Sequence, residues 1–308
     1  MANNKSFAAQ LANCECCPRK CSVNRLEGET GFCHVASGSL ISHSGPHFGE
    51  EPPISGIKGS GAIFFAGCNL KCVFCQNYQI SQEFQSYPQK RLSTDELALE
   101  MLLLQEKGVH NINFVSPSHM IFQMADAIYA AKKKGFVIPV VYNSNGYDSV
   151  DALKQISGLV DIYLPDIKYM DNELGEKLSA VNDYADIVPE VLKEMLHQVG
   201  HLKTNNKGIA QRGLLVRHLV LPGFLRNSRK CLSFLSDLSK NTYVSIMSQY
   251  SPQYQASNFS GINRALTKDE YNEIVDYAID IGLKNAFIQE IESQDNYLPD
   301  FGREAPFV

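Results

Sequence analysis

No window of this sequence approaches the roughly 20 consecutive apolar residues that a membrane-spanning helix requires. The opening stretch MANNKSFAAQLANC likewise has no apolar core long enough for a signal peptide. An excess of positive charge is missing too: 28 Lys and Arg face 33 Asp and Glu, a formal net charge of −5. That balance argues against a polyanion-binding surface, and so against nucleic acid as the partner. Internal repeats and low-complexity tracts are absent. What remains is an ordinary globular composition, 44% hydrophobic and 20% charged over 308 residues. It suffices for one large α/β domain and a small accessory module. A cytoplasmic setting is expected, and with it reduced thiols.

One abundance contrasts with these absences. The nine cysteines are an odd number, which complete disulfide pairing does not accommodate, and they cluster. Five fall between Cys14 and Cys33, three between Cys68 and Cys75, and Cys231 stands apart. Clustered thiols in a reducing compartment more often hold metal than pair with one another. Cys16, beside Cys17, reads as a bystander, and Cys231 as a packed helix residue.

The first fifty residues are rich in Gly, Pro and Cys and lack helical periodicity, so residues 1–58 are expected to form a small, loop-dominated module. Residues 59–308 change texture to alternating strand and helix signals. AIFFAG is a buried strand closed by glycine. STDELALEMLLLQEKG follows as a helix opened by a capping box, Ser93 to Glu96. Five more such units follow. Their strands are VHNINFVSP, FVIPVVYNSNG, LVDIYLPDIKY, GLLVRHLVLPG and YVSIMSQYSP, and the last helix has its own box from Thr267 to Glu270. Six strand-then-helix units imply a parallel sheet with helices outside, either open and doubly wound or a full or partial barrel. In both, working residues gather where strands end. Polar groups do fall there: Ser116 to His119, Asn143 to Gly146, Asp166 with Lys168, Arg217 with His218, and Gln249.

The loop after the first strand, GCNLKCVFCQNY, places Cys68, Cys72 and Cys75 in a C-x3-C-x2-C array. Thiolates select iron–sulfur clusters, zinc or copper(I). A cubane [4Fe-4S] cluster is saturated by four cysteines, so three leave one iron open to an outside ligand. A zinc site completed by a distant ligand such as His119 is the other reading.

With Phe74 just before its last cysteine, this loop resembles that of the radical S-adenosylmethionine (SAM) superfamily. CECCPRKCSVNRLEGETGFC, GCNLKCVFCQNYQIS, YNSNGY, LPDIKY and VRHLVLPG, in that order, are similar to a group within it related to pyruvate formate-lyase activating enzymes. The resemblance implies a partial (β/α)6 barrel and a [4Fe-4S] cluster on Cys68, Cys72 and Cys75. Its open iron would bind the amino and carboxylate groups of SAM. One electron, from a donor such as a flavodoxin or ferredoxin, would then release a 5′-deoxyadenosyl radical that takes hydrogen from a substrate. Phe74 matches a position that packs by the adenine. Where relatives carry a Gly-Gly-Glu-like segment for the methionine amino group, this chain reads SPSH, offering Ser116 and Ser118. Asn143 takes the Asp place of an Asp-Thr-Asn-Gly segment, with Ser144 and Asn145 as further polar contacts.

Alternation puts Asp166 and Lys168 on one strand face. Lys168 suits the SAM carboxylate; a barrel-end salt bridge is the alternative. Arg217 lies within a strand, where burial demands a ligand or carboxylate partner. His119 stands open between surface residue, proton donor and substrate contact. His218 faces the core, and Met247 reads as packing. Near the start, Cys14, Cys17, Cys21 and Cys33 offer four sulfurs, which suit structural zinc or a closed [4Fe-4S] cluster.

The expected protein is an oxidoreductase of this superfamily. It is either an activase installing a glycyl radical on a partner protein or a small-molecule enzyme; a non-catalytic iron–sulfur or zinc redox adaptor is the third reading. An activase needs a mouth open to a peptide loop. A mouth closed by GPHFGEEPP or LPDFGREAPF would count against it.

Overall fold

The computed structural model describes residues 6–291 and 298–307; the outermost residues of both expected domains, 1–5 and 308, lie outside the described residues. Ten strands make up its sheet: β1 (Ser39–His47), β2 (Ser60–Phe65), β3 (Lys90–Leu92), β4 (Ile112–Val115), β5 (Val140–Asn143), β6 (Ile162–Tyr163), β7 (Lys203–Thr204), β8 (Ala210–Leu219), β9 (Tyr243–Met247) and β10 (Asn285–Ile288). They are ordered β10-β9-β8-β6-β5-β4-β2-β1-β3, with β7 paired onto β8. From β2 to β10 every neighbouring pair along this order is parallel, whereas β1 runs antiparallel to β2 and to β3.

The parallel strands follow one another in chain order, with no reversal. A doubly wound sheet needs a reversal, because that is what sends helices to both faces. Without one, right-handed crossovers put all helices on one face, and the sheet is the partial barrel that the resemblance implies. The helices are α1 (Pro52–Ser55), α2 (Tyr78–Ser81), α3 (Thr94–Glu106), α4 (Ile121–Lys133), α5 (Val150–Gln155), α6 (Asn172–Ser179), α7 (Tyr184–Val199), α8 (Leu225–Leu238) and α9 (Lys268–Asp280). Both expected capping boxes are present, on α3 and α9. Between sheet and helices, Ile63, Phe65, Ile112 and Phe114 pack with Leu97, Met101, Met124 and Ile128 in one continuous core. Burial of each such side chain contributes about 1.5–3 kcal/mol over exposure.

The N-terminal segment is loop with short 3-10 turns over residues 6–38. Residues 39–47 are not loop. They form β1 and extend the barrel's own sheet across the boundary expected near residue 58. Gly45 and Pro46 hid this strand. Proline is tolerated there because β3 pairs only with residues 39–41 of β1, leaving the far edge at Pro46 without a ladder to break. Among the described residues, no helix is long and apolar enough to cross a membrane.

Candidate active site

All six residues of β2 are buried, and the chain leaves the strand through Ala66 and Gly67 into the cysteine loop. Gly67 has φ +78°, and a Cβ there would sit 2.6 Å from the carbonyl oxygen of Cys33. Only glycine fits that turn. The three thiols that follow are each met by donors from elsewhere in the barrel. Asn145 Nδ2 and the Leu70 N–H both lie 3.4 Å from Cys68 Sγ. Ser179 Oγ donates to Cys72 Sγ at 3.0 Å, and Ser81 Oγ lies 3.2 Å from Cys75 Sγ. Burial, reinforced by the neighbouring Cys72, pushes the Cys68 thiol up to about 11 and Cys75 up to about 12. Sulfurs this enclosed are costly as anions unless a cationic centre shares their charge. Donor type, supporting hydrogen bonds and open space in front therefore fit an iron–sulfur cluster.

That space is a cavity of about 610 Å³ at the carboxyl ends of the parallel strands. Phe74, Ser116, Asn143, Ser144, Asn145, Asp166, Lys168 and Arg217 all line it together with the three cysteines. Eleven positions spread across the chain thus meet at one surface. His119 and Ser118 do not line it. The His119 ring is buried against the Ala66 carbonyl, 2.8 Å from Nε2, so it is not the surface residue of one expected reading.

The side chains differ in how free they are. Lys168 and Asp166 form an ion pair at 2.5 Å. Burial pulls the Lys168 ammonium down, but the Asp166 charge and the nearby thiols outweigh it, so its pKa is raised. Ser144 donates to Asp148 at 2.6 Å, alongside the Tyr142 hydroxyl at 2.7 Å. Asn145 is engaged by Cys68 and, at 2.7 Å, by Asn69. These two residues hold the cysteine loop and its own turn, rather than presenting free groups to a ligand. Gly146, with φ +78°, lets this turn pack on the next one: a Cβ would fall 2.2 Å from the Asp166 carbonyl. Ser116 lines the cavity in a left-handed conformation, φ 57°, its N–H donating to the Asn143 carbonyl at 2.9 Å. Strain of this kind concentrates at working sites. Phe74 is buried at the cavity wall, its ring 6.0 Å from that of Tyr250.

Arg217 has the carboxylate partner its position demands, and in fact two. Nε donates to Glu51 at 2.8 Å, and Nη2 reaches both Glu51, at 2.6 Å, and Glu50. Sequence reasoning required a partner without finding these glutamates, which sit in the stretch read as loop. The other unforeseen neighbour is the C-terminal segment. Leu298, Pro299 and Phe307 line the cavity, and Phe307 packs 4.3 Å from the His47 ring and 5.4 Å from Phe64. Phe301 N–H donates to Gln79 Oε1 at 2.8 Å, tying that segment to the helix after the cysteine loop.

The model of the radical SAM superfamily matches residues 62–202, a span that contains all three loop cysteines. The uncharacterized protein MJ0674 of Methanocaldococcus jannaschii is 35% identical over 273 residues, covering 86% of this chain and 74% of that protein. The chain belongs to the radical SAM superfamily. Radical SAM membership implies an enzyme with a [4Fe-4S] cluster and SAM as its cofactors. Solved radical SAM relatives share the fold. Streptococcus suis SuiB bound to S-adenosylmethionine is 13% identical with a TM-score of 0.52, over 76% of this chain and 52% of that one. Methylornithine synthase (PylB) is 14% identical with a TM-score of 0.51, over 74% and 63%. At such identities the likeness is one of fold alone, and this chain spans about half the length of SuiB.

Proposed function

We propose that the protein is a radical SAM enzyme acting on a small molecule. The observation that carries this reading is the cavity above the three cysteines, bordered by both residues 47–52 and the C-terminal Leu298, Pro299 and Phe307. Cavities of roughly 300–1,000 Å³ hold small ligands. With cluster and SAM in place, the space left suits a small substrate better than a protein loop. When bound, the cluster would supply one-electron reduction of SAM, the chemistry by which a hydrogen atom is taken from a substrate.

In this proposal Cys68, Cys72 and Cys75 hold the cluster, and Asn145, Ser179 and Ser81 orient and polarise their sulfurs. Lys168, fixed by Asp166, neutralises the SAM carboxylate. Ser116 and Asn143 face the methionine end, and Phe74 packs by the adenine. Arg217 with Glu50 and Glu51 forms the wall against which the substrate rests. A one-electron donor of the flavodoxin or ferredoxin kind and a cytoplasmic setting complete the reading. The two bordering segments narrow the approach for the loop of a glycyl-radical partner, which puts the activase reading second. Anaerobic incubation of the iron-loaded protein with reductant and SAM tests the proposal. 5′-Deoxyadenosine should form with wild type and not with Cys72→Ala; equal yields from the two would overturn it.

A further inference from the structure

The N-terminal thiols have no part in that chemistry, yet they converge. Cys14, Cys16, Cys17, Cys21 and Cys33 line a second cavity of about 10 Å³, with Arg25 and Asn69 on its walls. Room on that scale is about one water-sized sphere. The backbone around it is strained: Lys20, Ser22 and His34, none of them glycine, have φ of 42°, 55° and 58°. Such conformations persist only where surroundings impose them.

Four of the five thiols face a backbone N–H. Cys14 faces that of Cys16, Cys17 that of Arg19, and Cys33 that of Val35. Cys21 accepts from the Phe32 N–H at 3.4 Å. Cys16 instead lies against Cys14, sulfur to sulfur at 3.7 Å. The amide pattern is also that of the barrel loop, where Cys68 faces the N–H of Leu70 and Cys75 that of Asn77. Amides aimed at sulfur are the outer-shell support that metal-held sulfurs receive.

Arg25 supplies the other half of the argument. Its side chain is fully buried, donating to the carbonyls of Ala36 at 2.9 and 3.1 Å and of His119 at 2.7 Å. Among the described residues, no carboxylate pairs with it. Its nearest acidic groups are thiols, Cys16 Sγ at 3.8 Å and Cys14 Sγ at 4.0 Å. A buried guanidinium without a counter-charge is expensive, so the pocket calls for an anion built from sulfur.

We propose that Cys14, Cys17, Cys21 and Cys33 hold a thiophilic metal in a closed tetrathiolate centre, with Arg25 as its counter-charge. Zinc and a [4Fe-4S] cluster share this ligand chemistry, and either leaves a net negative charge beside the arginine. Among the described residues no three metal-binding side chains stand at single-ion geometry, so a zinc ion would draw these thiols inward around the small cavity, whereas a cubane would spread them and widen it. The ligand set is saturated, which makes the centre a support rather than a second reaction site. What it supports is the cysteine loop of the barrel: the Cys33 carbonyl packs on Gly67, and Asn69, adjacent to Cys68, lines the N-terminal pocket.

The test removes the barrel thiols first. The Cys68→Ala/Cys72→Ala/Cys75→Ala triple variant, purified anaerobically, is analysed for zinc and iron by mass spectrometry. About one zinc or about four irons per chain should remain. Added Cys21→Ser or Cys33→Ser should abolish that metal, whereas Cys16→Ser should spare it. Retention of neither metal by the folded triple variant overturns the proposal, as does loss with Cys16→Ser but not Cys21→Ser. Where the triple variant does not fold, the same analysis compares wild type with Cys21→Ser, folding being checked by circular dichroism. A deficit of about one zinc or about four irons supports the centre, and unchanged content overturns it. The outcome is independent of whether the barrel performs radical chemistry.

Discussion

The Arg217 guanidinium holds Glu51 in two parallel hydrogen bonds, Nε to Oε1 at 2.8 Å and Nη2 to Oε2 at 2.6 Å. The pair fastens β8 to the segment that borders the cavity, with Glu50 on the same Nη2. Arg217, Glu50 and Glu51 side chains are only 13%, 7% and 5% exposed. Removing the cation therefore strands two enclosed carboxylates.

Arg217→Met should cost about 3–5 kcal/mol of stability, the usual penalty for breaking a buried pair from one side. Adding Glu51→Gln should return part of it. Urea unfolding of the single and double variants measures both. Burial alone would raise the Glu51 carboxyl, but the Arg217 charge and hydrogen bonds outweigh it and hold it below the usual range. The stability it contributes is complete above the unfolded carboxylate value of about 4.3 and is lost as pH falls through the lower folded value. Arg217→Met should abolish that acid-side loss.

A separate loss should come at milder acidity. His119 and His218 are buried, each ring bonded to a carbonyl, Ala66 at 2.8 Å and Ile167 at 2.7 Å. Burial depresses both to about 4. A histidine depressed on folding stabilises fully above its unfolded value of about 6.5 and loses that contribution as pH drops toward its folded value. Melting temperature should thus fall between roughly pH 6.5 and 4, with a shallower slope in His218→Phe. An unchanged slope in that variant would remove His218 from the account.

How far the sequence discloses this molecule depends on the range of the interaction. β2 and β4 are legible because buried parallel strands are largely apolar, Ser60 and Asn113 being the buried polar exceptions, and α3 and α9 because Ser93 and Thr267 announce them with complete capping boxes. α6 escapes notice because Gly175 interrupts it, although a signal was there: Asp171 caps the Leu174 N–H, and Leu174 and Leu178 share a face. The cavity residues are legible for a topological reason, since polar groups after parallel strands all point to one rim. Their partners are not. Glu50 and Glu51 meet Arg217, and Ser179 meets Cys72, across long stretches of chain that no local pattern spans. Sequence says that a buried arginine needs an anion; only the fold says which.

Ser179 leads to a third prediction. Its hydroxyl lies 2.7 Å from the Tyr169 hydroxyl and donates to Cys72 Sγ. A hydrogen bond to a cluster thiolate eases reduction by stabilising the added negative charge. Ser179→Ala should lower the midpoint potential in a spectroelectrochemical titration while leaving iron content intact. Iron loss without a potential shift in the remaining cluster would reduce Ser179 to a packing residue.

Lys168 is the fourth. A charge-assisted hydrogen bond to the SAM carboxylate is worth about 1.5–3 kcal/mol, so Lys168→Met should weaken SAM binding about tenfold or more in equilibrium dialysis. If the ion pair with Asp166 served the fold alone, the variant would lose stability and keep its affinity.

The central claim is that three cysteines leave one iron free to bind SAM. Electron–nuclear double resonance on the reduced protein, with SAM labelled by 17O in its carboxylate, examines that iron directly. A hyperfine coupling from the labelled oxygen is the predicted result. Its absence, in protein shown by dialysis to hold SAM and a full cluster, would contradict the account.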